Sequence, residues 1–343
     1  MTEGRDRSAA GGERAAHARR RRSLVVAGLV VFAAAFAVRF LALQDARLEY
    51  GKVQWAVTAG YKQVARLLAE GGVASFFDKS SPLASPDTLG HPPGYPALLA
   101  FVFRAAGESD AAVQLTQIAC DALACVLLLL IVAELFPTNF AAAALASALS
   151  ALAPQFSWNS VMLLPDTLAV LPVLAAVYCL ARASRPRRDA TETDARPHRA
   201  ATKAGSGGAA RRRALALMFA CGALVGVSCW LRANAMLLGP FLAFLVVPLL
   251  FPRGARLRPS AALLAGALLV VGVLTLRNAV VFGRFIPVSL GAGQTFLEGI
   301  ADYDDDNRFG IPRTDYGITT QEAAASGVAH HRETLFGPDG VER

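Results

Sequence analysis

Ser23-Leu-Val-Val-Ala-Gly-Leu-Val-Val-Phe-Ala-Ala-Ala-Phe-Ala-Val-Arg-Phe-Leu-Ala-Leu43 follows directly on Arg19-Arg20-Arg21-Arg22. At a rise of about 1.5 Å per residue, such a run is a helix of about 30 Å, the thickness of a bilayer's hydrocarbon core. A secretory signal also pairs a basic start with an apolar core, but that core is about 7–15 residues long and ends in a small-residue cleavage site. The 23–43 run is longer and no cleavage pattern closes it, so it reads as an uncleaved membrane helix. Further apolar blocks cover 95–107, 111–135, 138–157, 161–181, 214–231, 235–251 and 260–281. Over all 343 residues, 54% are hydrophobic and 17% charged. Soluble domains run at about 45–50% apolar and about 25% charged. A disordered chain, a collagen-like chain and a nucleic-acid-binding tail are excluded, and a soluble globule is disfavoured. The five cysteines all lie inside apolar blocks and no Cys-x-x-Cys occurs. They read as small hydrophobes rather than as zinc ligands or disulfide partners.

Charge orients the spans. Residues 1–22 hold seven Arg against three acids. Residues 182–213 hold nine Arg and one Lys against three acids, and the 252–259 link holds three Arg and no acid. Residues 44–110 carry six bases and seven acids, and everything from 282 onward carries five bases and ten acids. Cytoplasmic loops are enriched in Lys and Arg, so the first three segments belong inside and the last two outside. Eight crossings break this pattern and seven satisfy it. The block that does not cross is 95–107. It is short, opens with Pro92-Pro93 and contains Arg104. It is read as a re-entrant or interface-lying helix, the alternative being a short tilted span.

The expected fold is therefore an all-α polytopic membrane protein with about seven transmembrane helices. It comprises a basic cytoplasmic N-terminus (1–22), a membrane-embedded core (23–281) and an outer loop or tail (282–343). Within the core lie a large first outer loop (44–110), holding amphipathic and re-entrant helices, and a cytoplasmic linker (182–213). The linker contains Gly205-Ser206-Gly207-Gly208 and reads as disordered. The expected location is the inner (plasma) membrane, with multiple passes and the N-terminus in the cytoplasm. There is no Walker loop, Gly-x-Gly-x-x-Gly, His-Glu-x-x-His or Gly-x-Ser-x-Gly at a strand–helix junction, and no 20–50-residue repeat. Any chemistry then sits at the membrane surface. The basic linker has no interleaved aromatics, so no nucleic-acid partner is expected.

With that topology, polar residues at helix ends gather on the outer side. Asp45 and Glu49 lie just past the first span. In 53–70, Val57, Tyr61, Val64, Ala65 and Leu68 share one face of an amphipathic helix. His91-Pro92-Pro93-Gly94-Tyr95-Pro96 forms a rigid turn that presents His91 and Tyr95, or simply starts a helix beside a solvated histidine. Asp166 follows Pro165 at the start of a span, as a functional acid or as a capping carboxylate. Arg232 lies in an outward turn, and Arg277-Asn278 near an outward helix end. Each arginine either grips a phosphate with its planar fork or snorkels to lipid headgroups. Asp121, with Gln114 and Gln117 on the same face above it, lies deep in its span, either as part of a polar track or as a structural hydrogen bond.

The order of these motifs carries a resemblance. His91-Pro-Pro-Gly-Tyr-Pro-Ala-Leu-Leu-Ala, Gly107-Glu-Ser-Asp, Phe136-Pro, Ser160-Val-Met-Leu-Leu-Pro165-Asp166, Leu231-Arg232-Ala-Asn and Arg277-Asn278 with Gly283 are similar to the polytopic C-superfamily glycosyltransferases. The similarity is to their family 39-like branch of protein O-mannosyltransferases and lipid A aminoarabinose transferases, and it runs from the first helix to about Gly299. The resemblance implies a polyprenyl-phosphate-linked sugar as donor and a lipid, glycan or protein acceptor on the outer face. An acid in the first outer loop would act as base, here Asp45 with Glu49 second. His91 would lie near the donor phosphate, with Tyr95, Arg232, Arg277 and Asn278 binding substrate and Asp166 as a second acid. Relatives place the base shortly before a tyrosine, whereas Val57-Thr58-Ala59-Gly60 precede Tyr61 without a carboxylate. No motif calls for a cofactor, and a divalent cation is left open. Asp304-Asp305-Asp306-Asn307 lacks the spacing of a calcium loop and reads as solvated. The polar ending is expected to mark a chain truncated relative to the family. A lipid-precursor flippase and an inactive membrane scaffold are the alternative functions. The orientation predicts that a membrane-impermeant reagent applied to intact cells leaves the 182–213 segment unlabelled; labelling there would reverse the sidedness.

Overall fold

The computed structural model describes residues 3–45, 50–193, 207–290 and 299–312, with isolated positions at 317, 320, 321 and 324. Every regular element among them is helical. In chain order these are α1 (Glu3–Asp45), α2 (Tyr50–Ser75), α3 (Gly94–Ala106), α4 (Asp110–Leu135), α5 (Phe140–Leu152), α6 (Pro154–Val161), α7 (Asp166–Thr193) and α8 (Gly207–Leu231). A composite span follows, Ala233–Leu250, built from a short 3-10 turn, α9 (Leu238–Phe241), a π-helical turn at Leu242–Val246 and α10 (Val247–Leu250). The last is α11 (Leu257–Phe282). Among the described residues, six helices are long and apolar enough to cross a bilayer, and the bent pair α5–α6 makes up to seven. The protein is an all-α, multi-pass membrane protein.

Local chemistry sets the boundaries. The Ser109 side chain accepts from Ala112 N (3.3 Å) to cap α4, and Asn139 accepts from Ala142 N (3.0 Å) to cap α5. Gly107 ends α3 at φ 76°, a conformation that a side chain disfavours. Helix α3 has 13 residues, about 20 Å long, too short to traverse the core as a straight span. The block 138–157, expected as one span, is instead two helices meeting at 52°. Pro154 opens the second helix, having no N–H to continue the first. Within the segment expected as a linker, the described residues 182–193 and 207–213 are helical. Helix α7 runs on to Thr193 and α8 starts at Gly207, because the flanking Arg and Ala residues are strong helix formers. The basic segment 1–22 likewise continues α1 back to Glu3. Past α11 the chain folds back, burying Ile286 and Val288.

Small residues let the spans approach. A Cβ on Gly222 of α8 would lie 1.8 Å from Leu263 O of α11, and one on Gly266 of α11 would lie 2.1 Å from Phe219 O of α8. Such glycine contacts allow van der Waals packing where hydrocarbon offers no hydrophobic drive. The two ends of the bundle differ in charge. One gathers Arg20, Arg21, Arg182, Arg211, Arg213 and Arg258 from α1, α7, α8 and α11. The other holds the end of α1, all of α2 and α3, the starts of α4 and α7, and the ends of α8 and α11.

Asp121 is not part of an open polar track. It pairs with Arg39 of α1, whose side chain is 0% exposed. The same guanidinium donates to Ala35 O (3.2 Å), Ala151 O (3.0 Å) and Ser150 O (3.3 Å). Asp121→Ala should cost about 3–5 kcal/mol by stranding a buried cation, read as a large fall in thermal midpoint in detergent. Asp121→Asn, which can still accept a hydrogen bond, should cost less.

Candidate functional site

Helix α2 buries the face expected of it. Tyr61 and Ala65 are buried and Leu68 half-buried, packed with Tyr95, Leu99 and Phe103 of α3. Val57 lies outside the residues whose side chains are described. Two ion pairs fasten α2 to the α3–α4 junction: Lys62 to Asp110 (2.6 Å) and Arg66 to Glu108 (2.5 Å). The Pro-rich turn then brings His91 back over α2. Its ring centroid is 5.0 Å from that of Tyr61, and Tyr61 meets Tyr95 edge-on at 5.0 Å and 84°. Helix α3 starts hard against α8, since a Cβ on Gly94 would be 2.4 Å from Trp230 O. This close approach sets the Pro-rich turn beside Arg232.

Asp166 is positioned from below. The irregular stretch between α6 and α7 leaves backbone carbonyls inside the bundle. Gln114 donates to Val161 O (2.8 Å), and Gln117 donates to Met162 O (2.6 Å) and Ser160 O (3.3 Å). The oxygen of Gln117 accepts from the Tyr95 hydroxyl (2.8 Å). Held in this way, the stretch delivers Asp166 as the first residue of α7, where the helix dipole favours a carboxylate. Asp166 accepts from Arg232 Nη2 at 2.5 Å, and the two side chains remain 40% and 41% exposed.

These groups sense one another. Burial, with the Arg232 charge second, holds His91 below its ordinary value of 6.5. Burial pushes Tyr61 up to about 12, partly offset by Arg232 and reinforced by Asp166. Burial, then the neighbouring Tyr61, Asp110 and Asp166, pushes Tyr95 up strongly, so its hydroxyl stays a donor. At neutral pH the cluster presents neutral His91, two phenols and one arginine shared with a carboxylate.

Tyr61 and His91 also line a cavity of about 420 Å³ between α2, the 76–93 segment and α11, with Ser85, Thr88, Arg277 and Asn278 on its wall. Arg277 is buried and makes no ion pair among the described residues. It donates to Phe76 O (3.0 Å), Leu83 O (2.6 Å) and Asn278 Oδ1 (3.1 Å). Its guanidinium also lies 4.7 Å from the Phe76 ring and 4.9 Å from the Phe282 ring. Asn278 donates to Ile286 O (2.9 Å) and Val288 O (3.2 Å).

The structure therefore brings together His91, Tyr95, Asp166 and Arg232, and places Arg277 and Asn278 across the adjoining cavity. Asp45, the last residue of α1, is exposed at the same end of the bundle and does not line the cavity. Glu49 lies outside the described residues. Tyr61 joins the cluster although its sequence position marked it only for the packed face of α2. Among the described residues no three metal-binding side chains converge. Asp304 is not a freely solvated acid: it is buried and accepts from Arg308 N and Phe309 N (2.9 Å each).

A family model described as dolichyl-phosphate-mannose-protein mannosyltransferase matches residues 90–191. This is under a third of the chain, and it contains His91, Tyr95, Gln117 and Asp166. No curated protein and no solved structure matches the chain.

Because folding lowers the His91 pKa, the unfolded chain takes up its proton first as pH falls through 6.5, and acid destabilises the site. Arg232→Gln should raise the pKa of both His91 and Tyr61. The check is NMR titration of ring-labelled protein in micelles, where an unchanged His91 would place Arg232 out of electrostatic reach.

Proposed function

We propose that the chain is a membrane glycosyltransferase. It moves a sugar from a polyprenyl-phosphate-linked donor to a lipid, glycan or protein acceptor at the extracytoplasmic face of the inner membrane. The observation that carries this reading is the Arg232–Asp166 pair set within electrostatic reach of His91 and Tyr61, two residues that line a cavity, at the bundle end opposite the arginine-dense one. The mannosyltransferase family match over 90–191 supports the chemical class. The geometry suits a lipid-phosphate donor. Its phosphate needs an accessible cation, and Arg232 is two-fifths exposed, with a planar fork that suits phosphate oxygens.

In the proposed reaction the acceptor oxygen attacks the anomeric carbon. The bond from that carbon to the phosphate oxygen breaks, and the configuration inverts. The leaving group departs as a polyprenyl phosphate, carrying away the bonding electron pair. Arg232 stabilises that growing charge, and His91 donates a hydrogen bond to it. Asp166 holds Arg232 in place, and Tyr95 holds the floor through Gln117. The acceptor proton goes to a carboxylate of the first outer loop, Asp45 or Glu49. Arg277 and Asn278 shape the cavity wall by bracing the 76–89 and 286–288 segments.

The flippase alternative rested on a polar track along α4. Gln114, Gln117 and Asp121 all have protein partners, so no observation favours it.

Transfer of radiolabelled sugar from polyprenyl phosphate, measured on the full chain in vesicles, tests the proposal. Arg232→Gln should lower turnover about 100-fold or more. One of Asp45→Asn and Glu49→Gln should lower it by a similar factor and leave the thermal midpoint unchanged. Full activity in both carboxylate variants would move the base to Asp166. Absence of transfer from any polyprenyl-phosphate sugar would sink the reading.

A further inference from the structure

At the arginine-bearing end, far from Asp166, a groove of about 800 Å³ runs between α1, α4 and α7. Its walls are apolar, formed by Leu24, Leu29 and Phe32 of α1 and Leu123, Val126 and Leu130 of α4. Val25 and Leu29 are 57% and 66% exposed, so this face of α1 is open along its length. Gly28 forms part of the floor, where a Cβ would sit 3.4 Å from Val126 Cγ1. The rim is charged: Arg20, Arg21, Arg182 and Arg213 stand against one carboxylate, Glu134. Glu134 pairs with Arg182 (2.9 Å), and Arg182 also donates to the Tyr178 hydroxyl (3.1 Å). Arg20 donates to Ala133 O at the end of α4 (2.8 Å). Arg21 and Arg213 are exposed at the mouth.

From Arg20 to Phe32 the groove descends twelve residues of α1, about 18 Å. One leaflet of a bilayer core is about 15 Å deep. A slot of leaflet depth, apolar along its walls and cationic at its rim, is complementary to one amphiphile in that leaflet. We infer that this groove is a binding site for an anionic diacyl phospholipid, with the phosphodiester at Arg21 and Arg213 and an acyl chain along Leu24, Leu29 and Leu123. Basic pockets between membrane helices recognise lipid headgroups by the same chemistry. The proposed reaction uses none of these residues, and Arg21 and Arg213 lie outside the stretch that the family model matches. The site lies at the opposite end from Arg232, so its occupancy is measurable without any sugar donor.

The test uses the full chain in phosphatidylcholine bilayers with trace lipid spin-labelled midway along one acyl chain. Phosphatidylglycerol should associate about fivefold more strongly than phosphatidylcholine, the effect of roughly one basic side chain at the surface. Arg21→Gln with Arg213→Gln, both exposed positions, should bring that ratio close to one. Val25→Trp, which fills the slot, should reduce the motionally restricted signal for both lipids. High salt should lower the ratio in the unaltered protein, a readout that needs no variant. Equal association of the two lipids, or a preference unchanged by salt and by the arginine substitutions, would overturn the site. Displacement of spin-labelled phosphatidylglycerol by an equimolar polyprenyl phosphate would overturn the assigned occupant.

Discussion

A backbone carbonyl or amide inside a bilayer has no water to bond, so every break in a membrane helix must be satisfied by the protein itself. This constraint accounts for the longest polar side chains buried in the spans. Arg39 of α1 serves the carbonyls of Ser150 and Ala151, at the end of α5 where the chain bends. Gln114 and Gln117 of α4 serve those of 160–162, where α6 ends. Ser260 of α11 donates to Ala243 O in the π-helical turn (2.7 Å). Arg277, Asn278 and Thr275 do the same for segments 76–83 and 286–288. The bundle is irregular because it carries these breaks, and it tolerates them because each comes with a donor.

The breaks in turn make the site. The short unwound stretch at 162–165 lets Asp166 emerge at the start of a helix. A straight run from α8 into the next span would leave no turn at Arg232. The chain departs from regular helix where charged groups must reach the surface, and the donors beneath hold those departures rigid. The contact from Tyr95 through Gln117 to Met162 O is one such support, fixing the α3 turn and the Asp166 turn against each other.

Much of the fold was legible in the sequence because hydropathy reports the bilayer directly. The first span, the short 95–107 helix, the packed face of α2 and the uneven charge of the two ends follow from length, proline position and Arg distribution. The 52° bend was not legible from the block 138–157, because Pro154 is acceptable in the first turn of a helix as well as at a break. The site was legible in part. Charged residues at helix ends gather as sidedness implies, and Asp166 with Arg232 is the clearest case. Arg277 and Asn278 looked like an anion-binding pair, yet most of their contacts are to backbone carbonyls. Sequence does not reveal where a distant loop will need its oxygens satisfied. A lone arginine and a lone aspartate in two apolar spans were the available signal for the Arg39–Asp121 pair, since each requires the other in hydrocarbon.

Exposure separates the two arginine–aspartate pairs by role. Arg39 is wholly buried, and removing its partner leaves a charge in a medium where desolvation costs several kcal/mol. That pair is not free to exchange partners. Arg232 and Asp166 are about two-fifths exposed, and exposed pairs are worth about 0–1 kcal/mol net. Under the proposed function, an incoming phosphate would take donors from Arg232 at small cost, because both partners are already two-fifths exposed. The carboxylate then keeps the guanidinium aimed without competing strongly for it. Two contacts of the same chemical kind thus do opposite work: one fixes the angle between α1 and α4, and the other leaves its cation available at the surface where a lipid-borne anion would arrive.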